Sequence, residues 1–144
     1  KMYNSLVVVA DSGRARVYGL EKKGKPLLEL ADLVHAEARM RGRELKSDRP
    51  GRTIDSKGSR RHAKEVATTI KVQEAMKFAQ QVSAYIEAER KKNDFSNLVL
   101  IAAPEFLGIL RKTLGKETGK LISREIDKDL VLKPESVIRK YLVP

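Results

Sequence analysis

Ser5-Leu6-Val7-Val8-Val9-Ala10, followed at once by Asp11-Ser12-Gly13, decides the fold. Leu6, Val7, Val8 and Val9 form an unbroken apolar run, mostly β-branched. Such a run predicts a strand buried on both faces, because a half-exposed strand would alternate. Asp11-Ser12-Gly13 is a turn signal. Beyond it, Ala15–Leu20 sets Ala15, Val17 and Gly19 against Arg16, Tyr18 and Leu20, the period of a second strand. Glu21–Pro26 reads as a polar turn and Leu27–Val34 as a third strand, its alternation weakened by Glu29 and Asp32. The short connections predict an antiparallel meander.

A second run of the same kind, Leu98-Val99-Leu100-Ile101, predicts a fourth strand over Asn97–Ala103. Between the two buried strands, His62–Lys92 has helical periodicity. Val66, Ile70, Ala75, Ala79, Val82 and Ile86 fall on one stripe, and Lys71, Glu74, Lys77 and Gln81 on other faces. Pro104 opens a short helix that Gly115 stops. Leu121–Ile126 alternates as a fifth strand, and Pro134 starts a last helix with Val137, Ile138, Tyr141 and Leu142 on its apolar side. Two doubly buried strands require helices on both faces of the sheet. Right-handed crossovers then place strand 4 beside strand 1 and strand 5 beyond it. The expected architecture is α/β, with a five-stranded mixed sheet in the order 3-2-1-4-5 and strand 2 antiparallel. That is the ribonuclease-H-like arrangement, shared with the middle domain of class-I release factors.

The chain has 144 residues, enough for one domain with a core, and we read 1–144 as a single unit. It contains no Cys, which excludes disulfides, thiolate zinc sites, iron–sulfur clusters and Cys nucleophiles. With only two His, His35 and His62, a His-rich metal centre has no basis, and no cofactor is expected. No apolar run approaches the roughly 20 residues that span a bilayer. No charged-then-apolar leader opens the chain, which points to the cytoplasm, although Lys1 before Met2 leaves the native start open.

Thirty Lys and Arg against nineteen Asp and Glu give a net charge of +11. A field of that sign attracts polyanions such as RNA, the ribosome or anionic lipid. The excess is concentrated: Glu37 to Glu65 holds ten basic and five acidic residues, +5 in one segment. Within it, about 37–61 reads as a long basic loop with Gly42, Gly51, Gly58 and Pro50 and almost no apolar anchor. A loop of that length in a domain is either functional or disordered. Arg49, Arg52, Arg60 and Arg61 suit bidentate contacts to phosphates, with Gly51 and Gly58 allowing close approach and His62 beside them. The plain alternative is a solvated basic loop. The segment has no aromatic residue, so contact would be to phosphates rather than to stacked bases.

Asp11 is expected at the carboxyl end of the central strand, where open α/β sheets bind ligands. As a metal ligand it would need companions, for which Asp127 and Asp129 are the candidates. The plainer reading is that Asp11 caps its own turn. Ser12 as a nucleophile would need His62 as its base.

Ala10-Asp11-Ser12-Gly13-Arg14-Ala15-Arg16-Val17-Tyr18 resembles the opening of a bacterial family called protein required for attachment to host cells. Asp48-Arg49-Pro50-Gly51-Arg52, Asp55-Ser56, Gly58 and Arg61-His62 resemble its central loop. Leu98–Pro104, Leu107-Gly108, Leu110-Arg111 and Glu125–Leu130 resemble its later segments. The family is similar in turn to bacterial and archaeal relatives of class-I release factors. In those factors the corresponding loop carries Gly-Gly-Gln. Here Gly51–His62 contains no Gln, so peptidyl-tRNA hydrolysis by that route is not implied. The resemblance and the charge together imply a non-enzymatic adaptor contacting RNA or the ribosome. The alternatives are a metal-dependent nuclease or phosphatase using Asp11, and a protein acting directly in attachment. Oligomeric state is not legible.

Overall fold

The computed structural model describes residues 3–35 and 57–143, with the side chains of 57–64 excepted. Five strands form one mixed sheet: β1 (Ser5–Ala10), β2 (Arg14–Leu20), β3 (Leu28–Val34), β4 (Asn97–Ala102) and β5 (Ile122–Ile126). Their order is β3-β2-β1-β4-β5, as the sequence predicts. β2 runs antiparallel to both β1 and β3, while β4 is parallel to β1 and β5. Every residue of β1 is buried, because two strands flank it and both its faces are covered.

The two faces are covered unequally. On one, Leu6, Val8, Val17, Leu98 and Leu100 pack against α1 (Lys57–Lys91) and α2 (Pro104–Thr113). Phe78, Ala79, Val82 and Ile86 of α1 and Phe106, Leu107 and Leu110 of α2 supply the helical side. On the other, among the described residues, Val7, Val9, Tyr18, Val99, Ile101 and Ile126 cluster with Leu27, Leu130, Val131 and, through Ile138, the short α4 (Glu135–Lys140), with Leu20 and Leu142 packed beside them. Arg16 fastens that cover by donating from one guanidinium nitrogen to the carbonyls of Val131 and Lys133, at 3.1 and 2.8 Å. Glu135 accepts the backbone N–H of Leu27 at 3.0 Å.

Three details differ from the sequence reading. α1 begins at Lys57, not His62, so Gly58 sits in a helical turn. Glycine costs a helix about 1 kcal/mol relative to alanine, which one position in a long helix tolerates. A four-residue helix, α3 (Lys116–Gly119), follows Gly115, where too few residues exist to show a period. The expected apolar stripe of α1 is buried only from Ala75 onward; Val66 is 43% exposed.

Gly19 is required by packing. A Cβ there would stand 2.6 Å from the Tyr3 ring. We expect Gly19→Ala to lower stability by about 1–3 kcal/mol, the usual cost of forcing atoms into a filled site. A urea midpoint equal to wild type would show that Tyr3 simply swings away.

Candidate functional site

The carboxyl edge of β1 holds Asp11, which caps its own turn through one carboxylate oxygen. Oδ1 accepts the backbone N–H groups of Gly13 and Arg14, both at 2.8 Å, and the Asp11 N–H donates to the Arg14 carbonyl at 2.9 Å. This is the turn-capping reading. Asp127 and Asp129 lie exposed just past β5, with β4 between them and β1. Two strand spacings separate those strands, roughly 10 Å. Among the described residues no group of three or more His, Asp or Glu is placed to hold a metal. Ser12 is exposed on the turn, and the His62 side chain lies outside the described residues.

The same edge is where the basic segment leaves the sheet. β3 ends level with Arg14, and His35 follows it, its N–H donating to the Gly13 carbonyl at 3.0 Å. α1 finishes at the opposite edge, where the Tyr3 N–H donates to the Asp94 carbonyl at 2.8 Å. α1 has 35 residues. At 1.5 Å per residue it is roughly 52 Å long, whereas a six-residue strand spans about 20 Å. The helix therefore overshoots. Its buried residues run from Glu74 to Ile86, and no described side chain from Glu65 to Gln73 is buried. About 25 Å of helix, from Lys57 to Gln73, precedes the first buried side chain among those described. Gly58, Arg60, Arg61 and His62 occupy its first two turns, and its first turn has no acidic residue. Arg49, Gly51 and Arg52 lie outside the described residues.

One pair at this edge has no counterpart in the sequence reading, which set Glu74 on a polar face. His35 and Glu74 are 6% and 7% exposed, with Nε2 and Oε2 2.8 Å apart. The imidazole stacks on Phe78 at 5.4 Å between centroids, and Lys77 Nζ lies 3.7 Å from the other Glu74 oxygen. The pair joins the end of β3 to the point where α1 meets the core. Both ends of the intervening segment are thus tied to the sheet. Glu74 lies one turn before Phe78, on the rim of the buried stripe, and that spacing is the only sequence signal for it.

Two carboxylates elsewhere are held below the usual range. Glu125 owes this first to hydrogen bonds from Arg111, and Glu87 first to the Thr118 hydroxyl and then to Arg90. Both bind protons less readily folded than unfolded, so their contribution is present above the ordinary carboxyl value of 4.5 and is lost as pH falls through the folded values. Burial raises the Tyr18 phenol above 10.0, so its contribution is present below pH 10.0 and lost above it. We expect the thermal midpoint to decline below about pH 4.5 and again above about pH 10. A midpoint unchanged at pH 3 would contradict the acid arm of this prediction.

A family model described as protein required for attachment to host cells matches residues 6–142. The chain belongs to that family. No curated protein sequence matches this host-attachment chain significantly. Among solved structures it is similar to one titled an archaeal protein, with a TM-score of 0.46 and 14% identity over 95% of this chain and 35% of that one. It is also similar to the archaeal translation termination factor aRF1, with a TM-score of 0.46 and 13% identity over 84% of this chain and 29% of that one. The host-attachment chain spans about a third of the length of each. No described helix is long and apolar enough to cross a membrane.

Proposed function

We propose that this host-attachment protein is a non-enzymatic, cytoplasmic adaptor that contacts RNA, free or in the ribosome, through its basic arm. The observation that carries the reading is the overshoot of α1: the helix leads away from the core toward a segment with a net +5 between Glu37 and Glu65. Arg49, Arg52, Arg60 and Arg61 are the phosphate contacts, with His62 beside them and Gly51 letting the backbone approach. Gly58 then lies within a helical turn rather than in the loop. The paired ends of the arm, His35 on Glu74, give it a fixed base. The test is co-sedimentation with ribosomes at two salt concentrations. Wild type should pellet at low salt and be released at high salt. A chain with residues 37–56 replaced by a Gly/Ser linker of equal length and with Arg60→Gln and Arg61→Gln should stay in the supernatant at both.

The family description favours a second reading, a protein acting directly in attachment. Fractionation of the producing cells separates the two, since that reading requires the protein at the cell surface.

A further inference from the structure

The thin cover over the second face of the sheet stops short of the amino edge of β1 and β4, opposite the arm. A groove of about 340 Å³ lies there. Leu20, Val99 and Leu142 give it an apolar floor. Lys23, from the β2–β3 turn, and Arg124, from β5, line it as cations, and no Asp or Glu among the described residues does. The Ser5 hydroxyl and the Asn4 amide add uncharged polar groups.

Arg124 reaches this face through an irregularity. Leu98 pairs with Ile122, but Val99 pairs with Arg124, so Ser123 is an extra residue in β5. A bulge of this kind re-aims the side chains that follow it. Ile122 packs with the first core and Ile126 with the second, so the bulge turns Arg124 to the groove side beside Val99. One guanidinium nitrogen donates to the Leu142 carbonyl at 3.3 Å. Neither Arg124 nor Lys23 has a carboxylate partner among the described residues.

We propose that this groove is a separate ligand site that takes a small organic phosphate with an apolar, non-aromatic body. Two cations from different elements suit a group carrying close to two negative charges, and a guanidinium suits phosphate oxygens. The floor accepts a short aliphatic body and offers no ring for stacking. The volume sits at the small end of ordinary ligand sites.

The test is an NMR titration of the full chain with butyl phosphate, and with butyrate and inorganic phosphate as comparisons. We expect saturable shifts confined to the amides around Ser5, Leu20, Lys23 and Arg124. Butyl phosphate should bind more tightly than either comparison. Arg124→Gln and Lys23→Gln should each weaken it by roughly tenfold, with thermal midpoints near wild type because both side chains are exposed. Arg60→Glu with Arg61→Glu should leave it unchanged, so the groove stands or falls apart from the arm. Shifts spread over the basic surface without saturation, or binding by the two Gln variants as tight as by wild type, would overturn the site. Equal affinity for butyrate would overturn the phosphate assignment.

Discussion

Arg49→Glu, Arg52→Glu, Arg60→Glu and Arg61→Glu combined should reduce affinity for single-stranded RNA by at least about 100-fold at low salt. Each substitution removes a cation that displaces a condensed counterion and adds an anion that repels the backbone. The loss should be equal across RNA sequences, because the segment from Glu37 to Glu65 has no aromatic residue on which to stack bases. Folding should be untouched. None of the four is part of the described core, and the buried part of α1 starts at Glu74. Filter binding with two unrelated oligonucleotides measures the effect. Loss with one and retention with the other would point to base readout instead.

His35→Leu should be the most damaging change at the root of the arm. The imidazole is 6% exposed and sits 2.8 Å from a carboxylate that is itself buried. Removing one partner of a buried polar pair costs the other that bond in a site shielded from water, at up to several kcal/mol. Lys77, 3.7 Å from the second Glu74 oxygen, offsets part of that. The expected loss is about 3 kcal/mol, or roughly 6–12 °C in thermal midpoint for a domain of this size. Glu74→Leu should cost less, because the imidazole keeps its stacking contact with Phe78. His35→Leu with Glu74→Leu should recover stability relative to His35→Leu alone. Melting curves of the three variants decide it, and additive losses would mean the two residues act independently.

What the sequence disclosed followed from patterns that are local. Val7–Val9 and Val99–Ile101 announce buried strands because no solvated face interrupts them, and the strand order then follows from handedness. Asp11 as a turn cap was legible in Asp-Ser-Gly. The His35–Glu74 pair was not, since its members are 39 residues apart and meet only through the sheet topology. The start of α1 was obscured by Gly58 and by charges with no apolar spacing to follow. The groove depends on one extra residue, Ser123, which shifts the register of β5 by a step that alternation alone does not reveal.

The most direct test is the salt dependence of RNA binding by the intact chain. Four phosphate contacts predict that log K falls against log salt with a slope of roughly −3 or steeper, and that the four-fold Glu variant loses about that much of it. A slope near zero for wild type, or one the variant shares, would contradict a cationic arm made for a polyanion.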